Sequence, residues 1–236
     1  MAMIADNLQQ VHRRLARACE AVARPVESVT LLVVSKTFGP TAVREAVAAG
    51  ERRFGENYVQ EGVDKIAALA DLRGQLEWHL IGPLQSNKTR IVAEQFDWVH
   101  TVDRLKLAQR LNDQRPAAAA PLQVCLQVNI SGEASKSGLA PGEVVAVAQT
   151  VAALPRLRLR GLMAIPEPAA TFEAQRAPHR ALRELQLALN ARGLALDTLS
   201  IGMSADLEAA VAEGATLVRV GSAIFGARAA AGAPAG

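Results

Sequence analysis

Short apolar, β-branched runs alternate with amphipathic stretches along almost the whole chain, and this alternation restricts the fold more than any single motif. The first twenty-odd residues read as a helix, because Ile4, Leu8, Val11, Leu15, Cys19 and Val22 recur at helical spacing. Strand candidates follow at 29–34, 53–55, 76–81, 98–102, 122–130 (the longest), 158–164, 199–202 and 217–220. Helical stretches separate them at 40–49, 59–72, 87–94, 104–112, 141–153, 172–192 and 205–212. Pro40 suits a helix start and Gly50 its end, while Pro178 offers a later true start for the long helix at 172–192. Eight such units in 236 residues match a single (β/α)8 TIM-type barrel with an extra N-terminal helix. An open doubly wound sheet is the alternative, but no G-x-G-x-x-G follows the first strand. The chain reads as one domain over 1–228, then a disordered Ala/Gly/Pro tail over 229–236.

Composition excludes several classes. Half the residues are hydrophobic, yet a mean hydropathy of +0.12 reflects alanine and valine, and no apolar run has the length of a membrane span. The N-terminal stretch carries Asp6, Glu20 and an amphipathic pattern, which is not a secretion signal. Cys19 and Cys125 offer neither metal spacing nor a disulfide framework, so a reduced, cytoplasmic setting is expected. The pI near 9.2 raises nucleic acid as a partner. Against it, the arginines are scattered and aromatics are 3% of the chain, too few for a stacking platform.

Lysine is scarce. The chain holds five (Lys36, Lys65, Lys88, Lys106, Lys136) against twenty-one arginines. Arginine stays protonated, whereas lysine can lose its proton and attack a carbonyl, so a chain frugal with lysine can reserve it for such work. Lys36, Lys88 and Lys136 sit in Gly/Ser/Asn-containing segments beside apolar runs. Lys36 ends a nearly continuous apolar strand, where a low-dielectric surrounding would free its amine.

In a barrel, chemistry gathers on the loops after the strands. Ser35-Lys36-Thr37 follow strand one, and Glu56, Asn57 and Tyr58 follow strand two. Glu56 and Asn57 either orient Lys36 or close their own loop. Strand three carries His79, read as a hydrogen-bonded barrel histidine before a base. Strand seven ends in S-I-G-M-S-A-D, with Ser204 as a helix N-cap and Met203 as wall; strand eight ends in R-V-G-S-A-I-F-G. Small polar loops after strands seven and eight form the usual phosphate site of such barrels. A phosphate cup facing an amine suggests a phosphorylated aldehyde, and pyridoxal 5'-phosphate is the common cofactor of that type. Arg219 would face its ring nitrogen, keep it unprotonated and weaken it as an electron sink.

These stretches resemble one family. V-V-S-K-T (33–37), F-G-E-N-Y-V-Q-E (54–61), W-H-L-I-G-P-L-Q-S-N-K (78–88), V-N-I-S-G-E-A-S-K-S-G (128–138), G-L-M-A-I-P (161–166), G-M-S-A-D (202–206) and R-V-G-S-A-I-F-G (219–226) are similar to the pyridoxal phosphate homeostasis proteins, the YggS/PROSC type. Ser222 stands where threonine is usual, and Phe38-Gly39 replace a more polar stretch. The resemblance implies a barrel like the alanine racemase N-terminal domain, with cofactor carried as a Schiff base on Lys36 and phosphate held by Ser204, Gly221 and Ser222. It implies a role in storing, buffering or delivering the cofactor and in balancing vitamin B6 and amino-acid pools, without catalysis.

The expected cofactor-binding set is therefore Lys36, Asn57, Met203, Ser204, Arg219, Gly221, Ser222 and Lys136, with no catalytic residue and no metal ligand. Lys136, in a loop of small residues after strand five, is expected to be a second functional amine. The expected partners are pyridoxal phosphate and apo forms of enzymes that use it, with neither nucleic acid nor membrane, and the chain is read as a monomer. A racemase on the same barrel is the enzyme alternative. It needs a second acid/base group across the ring, and the lone tyrosine, Tyr58, belongs to a barrel loop.

Overall fold

The computed structural model describes residues 2–132 and 137–226. Eight parallel strands close into a barrel in sequence order: β1 (Thr30–Val34), β2 (Arg53–Glu56), β3 (Glu77–Leu80), β4 (Trp98–Val102), β5 (Leu122–Gln127), β6 (Leu157–Met163), β7 (Thr198–Ser200) and β8 (Leu217–Val220), with β8 pairing back onto β1. The expected (β/α)8 barrel is the observed fold. Helices α1 (Ala2–Glu20), α2 (Pro40–Ala48), α3 (Val59–Ala68), α4 (Thr89–Gln95), α5 (Leu105–Gln114), α6 (Val144–Ala152), α7 (Phe172–Asn190), α8 (Leu207–Ala212) and α9 (Ser222–Phe225) accompany it.

Period-2 alternation divides each strand between two cores. Val33, Phe54, Trp78, Leu80, Val124 and Leu162 face the helices and are buried there. Leu32, Val34, Ile81 and Leu217 form one apolar cluster inside the barrel, and Trp98, Cys125 and Met163 a second. The barrel interior also holds His79, His100, Ser200 and Arg219, all buried. An interior this polar persists only where each group finds a hydrogen-bond partner, and these do.

The structure corrects three local expectations. The longest strand is β6, with seven residues against six in β5. Beyond Gln127 the chain leaves the ladder, because Leu139 returns to donate to the Gln127 carbonyl and to accept from the Asn129 amide. Pro178 lies inside α7 and does not start it; Thr171 caps the helix by accepting the Ala174 amide. The turn after α3 tightens into a 3-10 segment at Ala70–Gln75, so the α-helix stops short of residue 72. His79 is the expected hydrogen-bonded barrel histidine: it lies inside, opposite Trp98, and bonds His100 and Glu77. The tail at 229–236 lies outside the described residues. No helix among the described residues is long and apolar enough to cross a membrane.

Candidate functional site

The loops after β7 and β8 are shaped by glycine. Gly202 has φ of 87°, and a Cβ there would sit 2.5 Å from the Ala210 side chain. A Cβ on Gly221 would lie 2.8 Å from the Val34 carbonyl, so only glycine lets this loop press against the end of β1. These close approaches bring Ser204 and Ser222 into the wall of one cavity.

Ser204 is not the N-cap of α8. That position belongs to Asp206, two residues later. The Asp206 carboxylate accepts from the Met203 amide at 2.7 Å and from His179 Nε2 at 2.9 Å, which folds the segment into a turn before the helix can begin. Burial opposes the charged form of Asp206, but the His179 and Met203 hydrogen bonds outweigh it and hold the carboxyl below its ordinary range. The N-terminal helix grips both loops from outside: Arg14 donates to the Ser204 carbonyl at 2.7 Å, and Asn7 to the Ile224 carbonyl at 2.8 Å. Sequence reading missed both anchors, since nothing local to α1 marks their partners.

Lys36 follows β1 and is half-buried. Its neighbours on both sides are held by an ionic cluster. Lys65, 3% exposed, donates to the Ser35 carbonyl, to Glu56 Oε1 and to Glu61 Oε1, each at 2.7 Å. The Ser35 hydroxyl donates to Glu56 Oε1 at 2.5 Å, and the Thr37 amide donates to Glu61 at 2.5 Å. Thr37 itself has φ of 70°, a left-handed conformation that costs a β-branched residue energy. Burial pushes the Glu56 carboxyl above its ordinary range, although Lys65 and Ser35 pull it down. Glu56 thus braces the residue before Lys36 through the Ser35 hydroxyl and through Lys65. Of the scarce lysines, Lys65 is the one whose role the sequence hid; its spacing of four from Glu61 was the available signal.

Arg219 is buried at the inner end of the same cavity. Its Nη1 donates to the Ser200 carbonyl and hydroxyl at 2.5 and 2.8 Å, and Nη2 to the Ala164 carbonyl at 2.9 Å. Burial pulls the guanidinium down to about 10, which leaves it cationic at neutral pH.

The cavity encloses about 410 Å³. Lys36, Asn57, Met203, Ser204, Arg219, Gly221 and Ser222 all line it, so seven of the eight expected residues come together. Phe38, stacked on Phe225 at 4.8 Å, adds an aromatic wall. A second cavity shares Asn57, Ile81 and Ile165 with the first and is lined by Asn129, Ser131 and Ser137. The eighth residue, Lys136, lies outside the described residues. Lys88 and Tyr58 are exposed and do not line the cavity. No group of residues that could hold a metal ion occurs among the described residues.

The family model described as alanine racemase, N-terminal domain, matches residues 6–229. A pyridoxal phosphate homeostasis protein of Pseudomonas aeruginosa is 62% identical over 97% of this chain and 97% of its own length. The Escherichia coli protein of the same name is 56% identical, over 95% of this chain and 97% of its own. Among solved structures, PipY of Synechococcus elongatus with PLP bound superposes with a TM-score of 0.82 at 40% identity, covering 94% of this chain and all of that one. The chain belongs to the alanine racemase N-terminal domain family and, within it, to the pyridoxal phosphate homeostasis proteins.

Proposed function

We propose that the chain binds pyridoxal 5'-phosphate through Lys36 and keeps it available to other proteins, without turning over a substrate of its own. One observation carries this reading: a single cavity presents a lysine amine, two serine hydroxyls and a buried arginine. The donor set fits the cofactor at three points. Lys36 offers the amine that an aldehyde requires. Ser204 and Ser222, on loops where glycine lets the backbone close in, offer hydroxyls to a phosphate. Arg219 can only donate, so a ring nitrogen facing it stays an acceptor and unprotonated. The bound cofactor supplies an electrophilic carbonyl conjugated to an electron-accepting ring.

The residues of the chain then hold, orient and release. The Lys65 cluster fixes the backbone on either side of Lys36, which limits the directions its amine can take. Phe38 and Ile165 shield the cavity walls. Thr37, Ala205 and Ser222 at its rim are exposed, so the site opens to solvent. Among the described residues that line the cavity, Lys36 and Arg219 alone have titratable side chains. Moving a proton between two faces of a bound amino acid needs a second acid/base group, and Arg219 at about 10 is a poor one. This favours a carrier over a racemase.

The test is direct. The purified protein should be yellow, and borohydride should fix the cofactor mass on the peptide that contains Lys36. Label on another lysine, or none, would sink the assignment. Loaded protein incubated with single-enantiomer amino acids in heavy water should leave the α-proton in place. Exchange at enzyme-like rates would establish the racemase alternative.

A further inference from the structure

A continuous hydrogen-bonded chain runs through the barrel from the cavity to the opposite rim. Arg219 Nη1 lies 2.8 Å from Ser200 Oγ, which lies 2.8 Å from His100 Nδ1. His100 Nε2 lies 2.9 Å from His79 Nδ1, and His79 Nε2 lies 2.8 Å from Glu77 Oε1. Glu77 begins β3 and is 40% exposed, whereas Ser200 and both histidines are buried. The described side chains that meet this outer end are Arg53, His79 and Trp98.

The two ends settle where every proton sits. A guanidinium only donates and a carboxylate only accepts. Burial lowers the affinity of both imidazoles for a second proton, most strongly at His100, so each ring has one N–H and one bare nitrogen. His79 must then donate from Nε2 to Glu77, leaving its Nδ1 to accept from His100 Nε2. His100 Nδ1 accepts from the Ser200 hydroxyl, and Ser200 Oγ accepts from Arg219. Any other arrangement sets two donors or two acceptors face to face. His79 also stacks on Trp98 at 5.2 Å and 13°, which fixes its ring plane.

We propose that Ser200, His100, His79 and Glu77 are positioning residues for Arg219, forming a one-way hydrogen-bond relay that holds the guanidinium at the cavity and ties it to a carboxylate on the far rim. The consequence for the cofactor rests on the reading that Arg219 faces its ring nitrogen; the relay itself does not.

The experiment therefore has two arms. In cofactor-free protein, 15N NMR of the imidazoles should show both His79 and His100 as the Nε2–H form. Glu77→Gln, which offers an N–H as well as a carbonyl, should mix the two tautomers, and Glu77→Asp should restore one. Ser200→Ala should speed rotation of the Arg219 guanidinium by about tenfold, the loss of one charge-assisted hydrogen bond. In loaded protein, Ser200→Ala should shift the visible absorption spectrum in the same direction as Arg219→Gln. Melting temperatures within a few degrees of wild type confirm that the variants fold. Histidines protonated on Nδ1 in the wild type, or histidine and guanidinium signals unmoved by Glu77→Gln and Ser200→Ala, would overturn the relay. A spectrum moved by Arg219→Gln but not by Ser200→Ala would overturn its link to the cofactor. Relay signals present in a protein that takes up no pyridoxal phosphate would support the relay and defeat the reading of the site.

Discussion

At the scale of single residues, the cavity serines and the backbone beside Lys36 carry different kinds of energy. If Ser204 and Ser222 hold the phosphate as proposed, each charge-assisted hydrogen bond is worth about 1.5–3 kcal/mol, so Ser204→Ala with Ser222→Ala should weaken cofactor retention by at least about 100-fold. Dialysis against a competing apo-enzyme measures this, and undiminished retention would place the phosphate elsewhere. Thr37 instead stores strain. Left-handed backbone costs a β-branched residue about 1–3 kcal/mol, and glycine gives back about 0.5–1 kcal/mol of that through its freer unfolded chain. Thr37→Gly should therefore raise the stability of the cofactor-free protein by about 1 kcal/mol, or roughly 2–4 °C in melting temperature. An unchanged or lower Tm would show that the clamp on the Thr37 amide does not strain it. The place of Lys36 in the cavity wall was legible in the sequence because lysine is rare and its position follows an apolar strand. Lys65 was not, because its meaning lies in Ser35 and Glu56, far from it along the chain. The pairing of His100 with Ser200 was invisible for the same reason, since the two are separated by a hundred residues yet hydrogen-bonded.

At the scale of elements, the sequence marked the strands well and missed chiefly where β5 ends. The run of Leu and Val in β1 located that strand because near-complete burial demands continuous apolar residues. The break in β5 and the turn ahead of α8 depend on groups that meet only in the fold, Leu139 in one case and His179, which braces Asp206, in the other. The Lys65 cluster works at this scale, since it ties α3 to the ends of β1 and β2. Lys65→Met would leave Glu56 buried without its cation, a loss of about 3–5 kcal/mol, or a drop in Tm of roughly 6–20 °C. The pH dependence has a defined sign. The folded Glu56 carboxyl titrates above its ordinary 4.5, so its contribution is fully present below that value and is lost as pH rises through the folded value. Removing Lys65 pushes that carboxyl higher still. The Tm gap between wild type and Lys65→Met should therefore widen between about pH 5 and about pH 8. A gap that narrows over this window would mean that Glu56 is not the group left unpaired.

At the scale of the whole molecule, the barrel separates a rigid holder from an accessible mouth. Polar side chains inside the barrel fix Arg219 from below, while the rim of the cavity is exposed. A carrier has to release what it holds, and a carbonyl held on Lys36 would leave only when an incoming amine or water takes it over. Asn129 and Ser137, which precede and follow Lys136 in the sequence, line the cavity adjoining the one that holds Lys36, and the two cavities share Asn57, Ile81 and Ile165. We propose on this basis that Lys136 supplies the incoming amine or a second anion contact at the rim. Lys136→Ala should then slow cofactor transfer to an apo-enzyme acceptor by about tenfold or more, the scale of losing a positioned nucleophile, while equilibrium loading at Lys36 stays near one per chain. Stopped-flow absorbance on the loaded protein mixed with acceptor gives the rate, and borohydride trapping before mixing gives the loading. If transfer rate and loading both match the wild type, Lys136 is an ordinary solvated lysine. Transfer then proceeds by direct hydrolysis at the open mouth.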